Sequence, residues 1–401
     1  MLKQENQLKA VSFIRQKPNL ILEQATGAGK SLAALMCVNE IGGKWYILCK
    51  ELTHIDNWKD EIKKHKMSHL NVEFYCYASL KKLANTTVDG IILDECHGIR
   101  SEARVKHLKS IDTKHIIALS ATIDVDTKKA LSSIGLKKAN TTKYTITLLK
   151  AIESGLLPAP TILVDYLYLD NRDRSLIYTK SKGSKSSKDR ESVRCSYEDR
   201  VSVMSKLKKA KVKSYELSIK CNQQEYYNLL VEDLYFYRNL QHISPYHKFT
   251  FLNYGSQRKR FLSEVKTERL KKILNKTRKH RKIVFTGSIK QCDEVGASNT
   301  TVHSKLGAKE IKNRIEAFNQ KKLSELYAVN MMRESVNLTD IETAIIVQLD
   351  SKSLYFYQKL GRSLRGKAPK VYILCVKNTQ DEKYLDTIIT SSGLEDYIIH
   401  N

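Results

Sequence analysis

"QATGAGKS", residues 24–31, is the stretch on which the reading of this chain turns. The apolar run "NLIL" (19–22) leads into it and "SLAALMCVNEI" (31–41) leads out, so a strand enters a turn of small residues and a helix leaves it. Gly27, Ala28 and Gly29, with Thr26 beside them, let backbone N–H groups approach phosphate oxygens at a helix N-terminus. Lys30 can reach the outer phosphates of a nucleotide, and Ser31 can hold magnesium. Gln24 occupies the place where such a loop ordinarily has its first glycine.

The surrounding chain keeps the same rhythm. "WYILC" (45–49), "GIILD" (90–94) and "HIIALS" (115–120) are short apolar runs, with helical spacing in stretches such as "NWKDEIKKH" between them. Strands alternating with helices imply a parallel sheet wrapped by helices, which collects ligands at the carboxyl ends of its strands. A second set follows at "KIVFTG" (282–287), "LYAVN" (326–330), "TAIIVQL" (343–349) and "KVYILCV" (370–376), with a helix predicted at "AKEIKNRIEAF" (308–318). The run "PTILVDYLYL" (160–169) can supply the first strand of this second lobe.

"IILDECHGIR" (91–100) ends an apolar run with two carboxylates, a thiol and an imidazole. Neighbours on an extended chain face opposite ways, so the four groups cannot all reach one ion. A metal cluster, a cysteine nucleophile with its base and the acidic end of a nucleotide site stay open on these residues alone, and the phosphate-type loop upstream favours the last. Asp94, at the end of its strand, would bind magnesium through water, and Glu95 would act as general base toward the attacking water. Cys96 then becomes a small spacer, and His97 either senses nucleotide or is a satisfied structural histidine.

The chain of 401 residues is long enough for two or three cores, and 41% hydrophobic residues support a folded protein. A net charge of +26 points to a polyanionic partner. Residues 171–280 hold 27 Lys/Arg against 11 Asp/Glu and so carry +16 of that excess. The eight cysteines form no C-x-x-C pair, which disfavours a zinc site or a disulfide framework. No apolar run approaches membrane-spanning length, so a soluble, reduced, cytoplasmic protein with no membrane partner is expected.

With these motifs in order, the sequence resembles superfamily 2 helicases and translocases across nearly its whole length. The loop resembles the A-x-x-G-x-G-K-S form of that family with Gln24 in its first position, and Asp94 to His97 resemble its DECH box. Ser120, Ala121 and Thr122 look like the motif that couples the ATP site to the nucleic-acid path. Gln7 is placed like the glutamine that reads adenine. "QKLGRSLR" (358–365) resembles the Q-x-x-G-R-x-x-R motif, which implies Gln358 near the terminal phosphate, with Arg362 and Arg365 stabilising the transferring phosphoryl group. "MMRESVNLTDIETAII" (331–346) resembles the motif written E-G-V-N-L; Glu334 and Asp340 match, whereas Ser335 replaces its glycine.

The resemblance implies an α/β fold of two RecA-like parallel-sheet lobes with a basic, mainly helical insertion in the second. Residues 1–145 would form the ATP-binding lobe, 146–170 the linker and first strand of the next, 171–280 the insertion and 281–401 the remainder of lobe two. ATP and Mg²⁺ are the expected cofactors, bound between the lobes, and single-stranded or branched DNA the expected partner, with RNA an alternative. Lys50, His54, Asn57 and Ser79 are candidate phosphate contacts on the first lobe, while Trp58 is expected in the core. Arg258, Lys259 and Arg260 are the corresponding candidates in the insertion, where Tyr246, Phe249 and Phe251 either stack on bases or pack a helical bundle. Compact bacteriophage DNA helicases have this general look. The expected activity is that of a monomeric ATP-dependent DNA helicase or translocase. An RNA helicase, a duplex translocase without strand separation and an ATP-gated clamp are the rivals.

Overall fold

The computed structural model describes residues 3–181, 191–212, 214–329, 338–350 and 368–400. The N-terminal part runs α1 (Lys3–Gln16), β1 (Asn19–Gln24), α2 (Lys30–Ile41), β2 (Lys44–Cys49), α3 (Leu52–Lys64), β3 (Asn71–Cys76), β4 (Thr87–Leu93), α4 (Glu102–Lys109), β5 (Asp112–Ser120), α5 (Val125–Ser133) and β6 (Thr141–Ile146). Its six strands pair in the order β3-β2-β4-β5-β1-β6, every pairing parallel. Leu20, Leu22, Ile47, Ile92, Ile117 and Leu119 bury one face of the sheet against α1, α2 and α3. Leu48, Ile91, Leu93 and Ala118 bury the other, with Leu108 of α4 and Leu131 of α5. Each leucine or isoleucine among them contributes about 1.5–3 kcal/mol on leaving water. Two covered faces explain why the central strands read as unbroken apolar runs.

The chain continues through α6 (Leu148–Glu153) and β7 (Thr161–Leu167) into the basic region: β8 (Arg174–Ser181), β9 (Glu191–Ser196), α7 (Arg200–Lys209), β10 (Ser214–Cys221), α8 (Gln223–Leu240), α9 (Pro245–Val265) and α10 (Thr267–Lys276). The last part contains β11 (Lys282–Thr286), α11 (Ile289–Val295), β12 (Thr301–Val302), α12 (Ala308–Asn319), β13 (Glu325–Val329), β14 (Thr343–Ile346), β15 (Lys370–Val376), α13 (Gln380–Ser392) and β16 (Ile398–His400). A second sheet has the order β12-β13-β11-β14-β15-β7-β16. The run at 160–169 therefore does join the second sheet, though between β15 and β16. Two parallel-sheet α/β lobes are present, as expected.

Tyr166–Leu270 and Val376–Glu382 form one compact unit, and Met1–Asp165, Lys271–Cys375 and Lys383–Asn401 form another. The smaller unit is mainly helical, yet it also holds a three-stranded sheet, β8-β10-β9, which the sequence reading did not foresee. β10 pairs antiparallel with β8 and parallel with β9. Its core gathers Tyr178, Leu217 and Ile219 of the sheet with Leu230 of α8 and Tyr254 and Leu262 of α9. The Tyr178 hydroxyl donates to Asp233 Oδ2 at 2.6 Å and lies 2.6 Å from that of Tyr254. At one edge of this core, fully buried Lys266 meets Asp381 Oδ2 at 2.5 Å.

Candidate functional site

The order β4-β5-β1 decides the layout of the site. Because these strands are parallel, the ends of β1, β5 and β4 fall side by side on one edge of the sheet. The phosphate-type loop follows β1, Ser120 ends β5 with Ala121 and Thr122 just after it, and Asp94 and Glu95 follow β4.

The loop is shaped by its glycines and by residues behind it. Gly27 and Gly29 have φ of 92° and 90°, a left-handed conformation that a side chain resists. A Cβ on Gly29 would also come within 3.0 Å of Gln7 Nε2, so the buried Gln7 amide closes over the loop. Gly29 opens α2 without a side-chain cap, which leaves first-turn N–H groups directed at the loop. Lys30 Nζ lies over the loop, donating to the Gln24 carbonyl at 2.8 Å.

Gln24, the departure from the usual glycine, is fully buried and exchanges amide hydrogen bonds with Asn6, each 3.2 Å. Asn6 Nδ2 also donates to the Ala28 carbonyl at 3.0 Å. The missing glycine is therefore compensated by an amide pair that anchors the loop from α1.

Glu95 sits at φ 48°, ψ 60°, a left-handed conformation uncommon for a residue with a side chain. Its Oε2 lies 3.5 Å from His97 Nδ1, both side chains largely buried. Cys96 is fully buried and burial pushes its thiol well above the usual range, which fits an inert spacer. Among the described residues, no three His, Cys, Asp or Glu side chains converge as a metal cluster.

Asp94 is held more firmly than its sequence position suggests. Trp58 Nε1 donates to Asp94 Oδ2 at 3.0 Å, and His54 Nδ1 lies 3.3 Å from the same oxygen. His54 and Trp58 are one turn apart on α3, so both project from one face of that helix onto β4. Burial disfavours the His54 imidazolium, but the hydrogen bond and charge of Asp94, with Glu95 and Glu51 beyond, outweigh it and raise its pKa. From below, the Tyr77 hydroxyl donates to the Asp94 carbonyl at 2.8 Å.

These contacts correct one expectation. His54 is only 4% exposed and faces Asp94, so it is not a surface phosphate contact. Trp58 is in the core, as expected, yet its N–H has a specific polar role. Lys50 follows β2 on the exposed surface, Asn57 is half-buried on α3, and Ser79 lies in a short 3₁₀ turn, bonded to the Cys76 carbonyl at 2.8 Å.

The sequence reading missed Glu23. Its carboxylate accepts from the Ile123 N–H at 2.7 Å and pairs with Lys143 at 2.5 Å, tying the segment after β5 to the strand that feeds the phosphate-type loop. A charged residue at the end of the otherwise apolar "NLILEQ" was the available signal. Ser120 closes a local turn, its hydroxyl donating to the Thr122 carbonyl at 2.7 Å. Ala121 and Thr122 are half-buried beside it.

Of the remaining candidates, Glu334, Gln358, Arg362 and Arg365 lie outside the described residues. Asp340 is exposed, in a left-handed conformation, and paired with Lys321 at 3.0 Å. Arg258 is only 7% exposed, on the inner face of α9 with Tyr254 and Phe261, and so is not a surface contact. Lys259 is half-buried and Arg260 exposed.

Comparison with known proteins adds to this geometry. Residues 265–367 match the family model of the helicase conserved C-terminal domain. The match covers about a quarter of the chain and includes Gln358, Arg362, Arg365 and Glu334. A putative ATP-dependent RNA helicase of Methanocaldococcus jannaschii is 28% identical over 130 residues, 29% of this chain and 16% of the relative. The helicase domain of Hef from Pyrococcus furiosus superposes with a TM-score of 0.48 at 14% identity, covering 96% of this chain and 97% of that one.

Proposed function

We propose that the protein is an ATP-dependent DNA helicase or translocase, which hydrolyses ATP at the edge of the first sheet and moves along or remodels DNA. One observation carries the reading: strand order places the glycine loop, the Asp94–Glu95 pair and the Ser120–Thr122 segment together at the carboxyl ends of β1, β4 and β5. The helicase C-terminal match at 265–367 supports it from the other half of the chain.

The residues fit ATP with magnesium. The αL glycines expose a row of N–H donors for phosphate oxygens, and the hydroxyl of Ser31 with the carboxylate of Asp94 is the sparse oxygen set that magnesium accepts alongside phosphate and water. When bound, magnesium neutralises charge that builds on the phosphates during transfer. Lys30 then balances the outer phosphates, Gln7 covers the loop, and Glu95 takes the proton from the attacking water. Arg362 and Arg365 supply further positive charge. Lys50, Asn57 and Ser79 would hold the strand by its backbone, giving little sequence preference.

Trp58 and His54 orient Asp94 in this scheme. Trp58→Phe keeps the bulk of the ring and removes the N–H. It is expected to raise the magnesium concentration for half-maximal turnover about tenfold, the usual scale for losing a partner of a metal ligand. Nucleotide affinity in chelator should not change. A magnesium titration coincident with that of the parent protein would refute the role.

The test of the whole reading is steady-state ATPase activity with no nucleic acid, single-stranded DNA, duplex DNA, a branched junction and RNA. Strong stimulation by DNA, greatest for the junction, is expected. Hydrolysis indifferent to every nucleic acid would overturn the motor. The relative described as an RNA helicase favours a second reading, an RNA substrate, which stimulation by RNA alone would establish.

A further inference from the structure

α8 and α9 form a helical hairpin joined by residues 241–244, and large apolar side chains are exposed near its closed end. Tyr235 and Phe236 near the end of α8 are 51% and 59% exposed, and Phe249 and Leu252 near the start of α9 are 70% and 57% exposed. On α9, Tyr246, Phe249, Asn253, Ser256 and Arg260 recur at helical spacing and share the outer face. The inner face is the one that carries Tyr254, Arg258, Phe261 and Leu262 into the core. The hydrophobic core of this unit is therefore complete without Tyr246 and Phe249.

The charge around these rings selects what covers them. From Leu234 to Ser263 the chain has thirty residues without one Asp or Glu, and five Lys/Arg. Arg238, Lys248 and Arg260 are exposed, whereas many other surface cations are matched by carboxylates, such as Lys44 by Glu73 and Arg100 by Asp124. A stretch this poor in carboxylates, with exposed cations and protruding π faces, suits a ligand that is anionic along its backbone and offers flat rings.

We propose that the outer face of α9, with Tyr246 and Phe249 near its start, Lys248 between them in sequence and Arg260 about three turns further along, binds unpaired bases of single-stranded DNA by stacking. The inference rests on the motor reading above and adds a base-binding site to the backbone contacts of the first sheet. Stacking on a side-chain ring is indifferent to base identity, so the site grips a strand without reading it.

The experiment uses the full chain with single-stranded DNA carrying 2-aminopurine, and the same strand with abasic positions. The intact protein should quench 2-aminopurine. Phe249→Ala should lower affinity for the base-bearing strand roughly tenfold, the scale of one lost stack, and abolish the quench. Affinity for the abasic strand should not change, and Phe249→Trp should restore both signals. Equal quench and affinity in Phe249→Ala would overturn the proposal, as would an equal loss on the abasic strand. Self-association that disappears in Phe249→Ala while DNA binding persists would assign the face to a second copy instead. If the parent protein binds no strand, the motor reading fails as well; if it binds and the variants are indifferent, only this face is refuted.

Discussion

Glu95→Gln is expected to abolish steady-state ATP turnover, lowering it by about 10²–10⁴-fold, while ATP remains bound. The substitution is isosteric and leaves the amide oxygen of residue 95 within reach of His97. Nothing that would hold the nucleotide is touched: Asp94 keeps its bonds from Trp58 and His54, and the loop keeps its anchoring through Gln24 and Asn6. Only the proposed proton acceptor is lost. The two quantities separate by measuring turnover at saturating DNA and, on the same preparation, the affinity for a fluorescent ATP analogue. Turnover like that of the parent protein would remove Glu95 as the base. Affinity falling in parallel with turnover would make it a ground-state ligand instead.

A second large effect is one of stability, in the smaller unit. Lys266 and Asp381 are 0% and 1% exposed and meet at 2.5 Å, a charge pair withdrawn from water. Asp381 lies in the first turn of α13, where a negative charge is favoured, and its Oδ2 also accepts from the Val376 N–H at 3.4 Å. Lys266→Met fills the same space with an apolar chain and leaves Asp381 as a buried charge without its cation. The expected cost is about 3–5 kcal/mol, read from urea denaturation. Adding Asp381→Leu should recover most of it, since an apolar pair of similar volume replaces an ion pair at little net cost. A single variant as stable as its parent would mean that water reaches the pair.

Much of the site was legible because its signals are local. Gly27 and Gly29 mark a turn by composition, the run before Asp94 marks a buried strand, and their order implies one sheet edge. What escaped depends on neighbours far along the chain. β3 is half-exposed along its length and β6 alternates buried and exposed residues, so neither has the apolar density of a central strand. β10, "SYELSIKC", alternates in the same way and was hidden in a lysine-rich region. By residue type alone His54 and Arg258 suit nucleic-acid contacts. Each instead sits on the inward face of a helix, and only the packing of α3 on β4, or of α9 on its core, reveals which face that is. Gln24 looked like a defect in the loop because its partner, Asn6, lies eighteen residues earlier.

Trp58 has a use outside the mechanism. The chain contains only two tryptophans. Trp45 is sealed in the sheet, its N–H on the Gly42 carbonyl at 2.8 Å, whereas Trp58 touches the carboxylate on which the chemistry is proposed to depend. Indole emission responds to the field of a hydrogen-bonded charge. The protein thus carries a built-in optical probe: with Trp45 replaced by phenylalanine, the intrinsic spectrum would come from one chromophore, and events at Asp94 could be followed in real time without a label.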